Sequence, residues 1–357
     1  PSEVVGPGAI GLTAAATASG AVLFLDGAVD VDAVAGRVPS ATIPPARSPV
    51  ARRRRFTTLI EDLRAEHYNA TITTFEPAHS DLWRLRVRPD LGGVSHRPGQ
   101  YASLGLGYWE ERIDDAEDVG LEERWDKVVR RSYSISSRMW DDHGYLTGDL
   151  GSDELEFYIV LVPPTDDNVP GLTPRLACKR PGDRVHLGAK VAGRYTLGPV
   201  TSPEDAVVFF STGTGEAPHN AMITELLRKG HRGPIVSAVS VRQWADLGYL
   251  DQHRRLEALY PSYRYLPLPT READTPKRYV QDLVASGALE REGGVDLDPA
   301  TTHAFLCGNP AMIGLPEDVD GTVRYPEVTG VVELLADQGF TLDRRGHVGN
   351  VHVEEYW

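Results

Sequence analysis

The feature that most limits what this chain can fold into is a change of rhythm at Gly198-Pro199. Before it, Trp83, Leu85 and Val87 alternate with Arg84, Arg86 and Arg88, which is the period of a half-buried antiparallel strand. Further short runs at 101, 133–137, 157–162, 185–187 and 193–197 are separated by Pro and Gly turns such as Pro98-Gly99 and Pro181-Gly182. Many short strands punctuated this way predict a closed antiparallel β-barrel. After Gly198-Pro199, apolar β runs at 206–211, 234–240, 263–268 and 304–307 alternate with helical stretches at 218–228, 251–259, 278–289 and 331–339, and a last extended run covers 351–356. That alternation predicts a mostly parallel sheet covered by helices on both faces. The expected domains are an N-terminal extension (1–55), a barrel (56–199) and an α/β domain (200–357).

Composition narrows the possible partners. At 357 residues, two domains can each bury a core. A formal charge of −14 argues against nucleic acid, which needs clustered Lys and Arg. The two cysteines, Cys178 and Cys307, are too few for a four-thiolate iron–sulfur cluster, and no metal site is expected. They fit a reduced, cytoplasmic protein. Residues 4–25 have neither the basic start of a signal peptide nor the apolar content of a membrane span. Residues 1–55 read as a poorly ordered extension ending in Arg52-Arg53-Arg54-Arg55, a solvated linker or an electrostatic handle for an acidic partner. The acidic run at 110–126 reads as a solvated surface excursion.

Three motifs carry chemistry. On the strand Arg131-Ser132-Tyr133-Ser134, alternation puts Arg131 and Tyr133 on one face and Ser132 and Ser134 on the other. A guanidinium suits a pyrophosphate, a phenol suits stacking, and a hydroxyl can hydrogen-bond a ring nitrogen. Thr212-Gly213-Thr214-Gly215-Glu216-Ala217-Pro218 joins a strand to a helix, where glycines admit a phosphate and the helix dipole favours its charge. It is neither the Gly-x-Gly-x-x-Gly fingerprint nor a Walker loop. Cys307-Gly308-Asn309-Pro310-Ala311-Met312 turns at another strand end, where ligands of such sheets bind.

In this order the three motifs resemble the ferredoxin–NADP reductase family, in its bacterial FAD-containing form, over residues 68–357. The resemblance implies an FAD-binding barrel followed by an NADP-binding α/β domain. It implies hydride transfer between NADPH and FAD, and single electrons passed to or from a separate ferredoxin or flavodoxin. It assigns Arg131 to the FAD pyrophosphate, with Ser132 beside it, Tyr133 to the isoalloxazine, and Ser134 to the neighbourhood of N5. Tyr158 belongs to the same flavin-binding set. Gly171-Leu172-Thr173-Pro174-Arg175-Leu176 resembles the family's pyrophosphate helix, with Thr173 as N-cap and Pro174 as first helical residue. Thr212, Gly213, Thr214 and Gly215 would receive the dinucleotide phosphates. Glu216 stands where the family more often has an aliphatic residue, and is expected to point away. Arg242, Thr270, Arg271, Lys277 and Tyr279 fall in segments that match those gripping the adenosine 2′-phosphate, with Arg271 and Lys277 as its foremost ligands, Thr270 as hydroxyl donor and Tyr279 on adenine, which selects NADP over NAD. Cys307, Gly308 and Met312 would line the nicotinamide side. Tyr356 or Trp357 would stack on FAD, with Glu354 near the active centre. Ser134, Cys307, Glu354 and Tyr356 are thus the expected catalytic residues.

Arg84, Arg86, Arg88 and Arg130 are candidates for docking the carrier, a solvated barrel face being the other reading of the first three. The expected enzyme is a monomer that needs no membrane. An NADH-dependent reductase of an oxygenase system and a non-catalytic flavin-binding sensor remain as alternatives. A Ser or Cys hydrolase lacks the Gly-x-Ser-x-Gly elbow.

Overall fold

The computed structural model describes residues 49–147, 153–344 and 346–356. Its first element is one that the sequence rhythm did not announce. Helix α1 (Pro49–His67) packs on the barrel core, with helical backbone from residue 49; the rest of the expected extension, 1–48, lies outside the described residues. Phe56 and Ile60, with Leu63 behind them, recur at helical spacing and bury into the barrel core.

The barrel is closed, in the order β1 (Ala70–His79), β2 (Leu82–Pro89), β5 (Leu155–Val160), β4 (Val128–Ser136), β3 (Tyr101–Gly107), β6 (Arg184–Leu187), with β6 returning to β1 at Ala70↔Val185. Its pairings are antiparallel. On β2, Trp83, Leu85 and Val87 face the interior as their alternation requires. The expected strand at 193–197 does not form; only Ala192 bridges Tyr101 there.

The excursion between β3 and β4, which contains α2 (Leu121–Arg124), is not simply solvated. Glu110 is 2% exposed and accepts hydrogen bonds from Arg64 of α1 (2.8 and 2.7 Å), Tyr68 (2.9 Å) and Lys179 (2.5 Å). Burial alone would raise its carboxyl, but Lys179 and Arg64 outweigh it and hold the group at about 2. Asp118 is likewise buried between Arg112 and Arg175. Two carboxylates of the acidic run therefore pin the excursion to the barrel.

The second domain is a five-stranded parallel sheet in the order β13 (Val351–Glu355), β10 (Thr302–Gly308), β7 (Ala206–Thr212), β8 (Ile235–Val241), β9 (Tyr263–Pro269). Strand residues divide by parity. Val207, Phe209, Val239, Phe305 and Cys307 pack against α4 (Glu216–Arg228) and α5 (Leu250–Leu259), and this layer continues into Leu82, Met139 and Tyr158 of the barrel. Val208, Phe210, Val236, Ala238 and Leu306 pack on the other face, under α6 (Val280–Ala285), α7 (Ala288–Gly293) and α9 (Val331–Ala336). Interior strand β8 is buried throughout, as a parallel strand covered on both sides must be. The helix expected over 278–289 breaks in two at Gly287, whose φ of 62° ends α6 and opens α7. A one-turn α8 (Pro310–Ile313) and a small hairpin, β11 (Glu317–Val319) and β12 (Thr322–Arg324), complete the domain. Among the described residues no helix is long and apolar enough to cross a membrane, and no group of three or more His, Cys, Asp or Glu could hold a metal ion.

Candidate functional site

The site forms where the carboxyl ends of β7 and β10 meet β4 of the barrel. After β7 the chain makes a single 3-10 turn, Gly213–Gly215, and enters α4 directly. After β10 it turns at Gly308. A Cβ on Gly215 would lie 2.3 Å from the Cys307 carbonyl oxygen, and one on Gly308 would lie 2.3 Å from Thr212 Oγ1. The two turns thus touch backbone to backbone. Gly308 also adopts φ 127°, which side chains disfavour. Thr212 Oγ1 accepts the Asn309 N–H at 2.7 Å and ties the turns together. Thr212, Gly213 and Thr214 keep part of their surface open, at the N-terminus of a thirteen-residue helix, where an anion is favoured.

Glu216 points away from this mouth. It is 1% exposed, accepts a hydrogen bond from Tyr265 Oη at 2.6 Å, and lies 3.0 Å from His253 Nε2. Tyr263 Oη meets the other nitrogen of that histidine at 2.7 Å. A carboxylate one residue past the phosphate turn is thereby drawn below it.

The four residues expected to be catalytic converge. Parallel pairing sets Cys307 opposite Glu354. Ser134 Oγ donates to Glu354 Oε2 at 3.0 Å across the domain boundary. Tyr356 packs against the buried cluster that includes Cys307, and its backbone N–H donates to the Gly308 carbonyl at 3.1 Å. Burial pushes the Glu354 carboxyl up to about 7, although the Ser134 hydroxyl pulls the other way. Burial likewise raises the Cys307 thiol and the Tyr356 phenol, and both are held neutral. The cluster therefore holds one group that can trade a proton near neutrality, beside two that cannot. Behind it Tyr195 Oη meets His219 Nε2 at 2.7 Å, and burial drives His219 down to about 3, so it stays uncharged. Neither residue was anticipated, although a histidine on the apolar face of α4 was a signal available in the sequence.

On β4, Arg131 and Ser132 are exposed and Tyr133 is half-buried, its ring 6.5 Å from Phe157. Arg131 donates only to the Arg130 carbonyl and has no carboxylate partner among the described residues. A free guanidinium, an aromatic face and a hydroxyl lie in sequence along a strand that leads to Ser134, a donor set that fits a flavin nucleotide.

At the ends of β8 and β9, Arg242, Thr270, Arg271, Lys277 and Tyr279 gather in one region. The Arg271 N–H bonds the Arg242 carbonyl (2.8 Å), and Lys277 Nζ lies 5.3 Å from the centre of the 41%-exposed Tyr279 ring. This set fits a phosphorylated adenosine.

Four expectations need correction. The Thr270 hydroxyl donates to the Val241 carbonyl at 2.9 Å and has no proton left to offer a phosphate. Thr173 does not cap its helix. α3 (Thr173–Leu176) begins with it, and its hydroxyl accepts the Val162 N–H at 3.1 Å. Tyr158 is 3% exposed and faces the second domain, donating to the Asp246 carbonyl (2.9 Å) and accepting the Gly248 N–H (2.8 Å). Met312 joins the core on the face of the sheet opposite Cys307, because α8 turns it under β10. Trp357 lies outside the described residues. Of the docking candidates, Arg84, Arg86 and Arg88 are paired with Glu76, Glu156 and Glu154, whereas Arg130 is exposed and holds no ion pair among the described residues.

A barrel joined to a parallel sheet, with a proton-trading cluster at their seam and an anion-binding turn beside it, defines a flavin- and dinucleotide-dependent oxidoreductase architecture. Comparison with known proteins gives the family. The model described as an oxidoreductase NAD-binding domain matches residues 209–317. Flavodoxin/ferredoxin–NADP reductases of Shigella flexneri and Escherichia coli (strain K12) are each 32% identical over 218 residues, covering 60% of this chain and 75% of theirs. A ferredoxin NADP+ reductase from Neisseria gonorrhoeae, solved with bound FAD and NADP, shares the fold with a TM-score of 0.59 at 20% identity, over 81% of this chain and 98% of its own. The chain belongs to the flavodoxin/ferredoxin–NADP reductase family.

Proposed function

We propose that this protein is an FAD-dependent reductase that moves hydride between NADPH and flavin and exchanges single electrons with a separate ferredoxin or flavodoxin. The observation that carries this reading is the meeting of Ser134, Cys307, Glu354 and Tyr356 at the seam between the domains. When bound, FAD supplies hydride acceptance at N5 and release of electrons one at a time. The chain's own contribution is distance, orientation and proton supply. Arg131, with Ser132, holds the flavin pyrophosphate, and Tyr133 gives the ring a face to rest on. With FAD bound, the Ser134 hydroxyl would offer a hydrogen bond to N5, and Glu354, which Ser134 contacts at 3.0 Å, would hold the proton behind it. Cys307, small and neutral, leaves room for nicotinamide without competing as a nucleophile. The Gly213–Gly215 turn receives the dinucleotide phosphates, and Arg242, Arg271 and Lys277 select the 2′-phosphate, with Tyr279 under adenine. The exposed Arg130 is the candidate contact for an acidic carrier. We read the enzyme as a cytoplasmic monomer, for which sedimentation of the flavin-loaded protein is the check.

The deciding experiment is anaerobic mixing with equimolar NADPH or NADH in a stopped-flow cell, following flavin absorbance. Fast bleaching by NADPH with slow bleaching by NADH is expected. Equal or inverted rates would overturn the 2′-phosphate assignment and favour an NADH-dependent reductase. Bleaching without electron transfer to any one-electron carrier would favour a sensor.

A further inference from the structure

The segment after β8, residues 242–249, is a strap between the domains. It carries Arg242, yet its shape is fixed largely from the barrel. Asp246 is the organising residue. Its Oδ2 accepts the backbone N–H groups of Arg242 (3.1 Å) and Gln243 (2.9 Å) and lies 3.5 Å from Arg242 Nε. Its Oδ1 is 3.0 Å from Nε2 of His79, at the end of β1 in the barrel. His79 Nδ1 accepts the N–H of Asp81 at 3.2 Å, which leaves Nε2 as the nitrogen that carries a proton and donates to Asp246. Tyr158, also from the barrel, binds the Asp246 carbonyl and the Gly248 N–H and holds the strap from beneath.

The consequence lies in how Asp246 divides its attraction. Two backbone donors and one histidine take up the carboxylate, and its contact with the Arg242 guanidinium stays long. Arg242 keeps 55% of its side-chain surface exposed and has no closer carboxylate among the described residues. A carboxylate and a phosphate compete for the same guanidinium. Anything that occupies Asp246 releases Arg242 for the phosphate, and anything that frees Asp246 withdraws it.

We infer that His79 and Asp246 set dinucleotide selectivity: the barrel, through one hydrogen bond to Asp246, keeps Arg242 available to an adenosine 2′-phosphate. Both are positioning residues that act through Arg242. The inference rests on the reading of Arg242 as a 2′-phosphate ligand.

The test is calorimetric binding of adenosine 2′,5′-bisphosphate and of 5′-AMP to the flavin-loaded enzyme, with the NADPH-to-NADH ratio of KM as a second readout. Arg242→Ala tests the underlying reading. It should weaken the bisphosphate about tenfold and leave 5′-AMP unchanged, and no change would remove that reading and the inference with it. Given that loss, His79→Phe should weaken the bisphosphate about three- to fivefold with 5′-AMP unmoved, because the unpaired oxygen of Asp246 then draws Arg242 in. His79→Gln, which can still donate to Asp246, should restore the affinity. Asp246→Asn keeps an oxygen for the two backbone donors but loses the charge, and should tighten the bisphosphate about two- to threefold. If Arg242→Ala shows its selective loss while His79→Phe and Asp246→Asn match the wild type, the inference fails and the Arg242 reading stands. Equal weakening of both ligands by His79→Phe would mark a role in strap folding only, and would also overturn it.

Discussion

Replacing Glu354 by Gln should stabilise the protein relative to the wild type by a margin that grows between about pH 4.5 and pH 7 and is full in alkaline solution. In the fold this carboxyl titrates near 7, against an ordinary value of 4.5 in the open chain. Below 4.5 it is protonated in both states and contributes no pH dependence. Between 4.5 and 7 the folded state keeps a proton that the unfolded state has released, so stability falls as pH rises; above 7 the loss is complete. A gap of about 2.5 units at 1.36 kcal/mol each bounds the effect at about 3 kcal/mol, and the partial exposure of Glu354 brings it to about 2. Gln is isosteric and still accepts from Ser134, so the variant removes the titration and little else. The assay is urea unfolding of flavin-loaded wild type and Glu354→Gln at pH 5 and pH 8. The stability difference should shift toward the variant by about 2 kcal/mol between those values. A difference independent of pH would refute the argument, since it would mean the carboxyl is not held protonated in the fold.

Lys179→Met leaves the buried Glu110 facing Arg64 and Tyr68 alone and should cost about 3 kcal/mol in urea unfolding at pH 7, with a smaller loss at pH 3. Phe56→Ala empties the deepest contact of α1 on the barrel and should cost about 3–4 kcal/mol in the same assay. Gly215→Ala places a methyl 2.3 Å from the Cys307 carbonyl oxygen, so the two turns must part; flavin bleaching by NADPH should slow by an order of magnitude or more while bound flavin is retained.

The sequence made legible whatever is written locally. Strand parity on β2, the glycine turns at strand ends and the β–α alternation after Gly198-Pro199 each follow from neighbours within a few residues, and the fold conforms to them. Features set by distant partners stayed hidden. Nothing local separates Glu110 and Asp118 from the acidic residues around them; what buries them is Arg64, Arg175 and Lys179, 46 to 69 positions away. Helix α1 has only Phe56, Ile60 and Leu63 as its apolar stripe, and becomes a helix worth forming only against the barrel. Within the site, Ser134, Cys307, Glu354 and Tyr356 were named from motifs, whereas the hydroxyls of Thr173 and Thr270 were assigned by type and turned out to be spent on backbone groups. A residue's identity says what it can donate; only the fold says what has already taken the proton.

The seam between the domains is where that distinction matters most. Hydride transfer slows by about a hundredfold if the reacting atoms are misplaced by about 1 Å, so the angle at which the barrel and the sheet meet matters. Apolar contact alone would not fix that angle, because it is indifferent to small slides. The buried polar contacts are not indifferent. Tyr249 Oη donates to Glu156 at 2.7 Å and accepts from Ser136 at 3.1 Å, while the other oxygen of Glu156 takes Arg86 at 2.8 Å. Asn220 of α4 reaches Ser136 from the side at 3.3 Å. A slide of the domains would orphan several of these groups in a dry interface, each at about 1–3 kcal/mol. Ser134 stands two residues before Ser136 on the same strand, and so inherits the register that this network imposes. The sheet supplies the other half of the alignment through β10 and β13, whose pairing puts Glu354 beside Cys307. The hydrogen bond from Ser134 to Glu354 is therefore where two independently fixed registers meet, one of the barrel and one of the sheet.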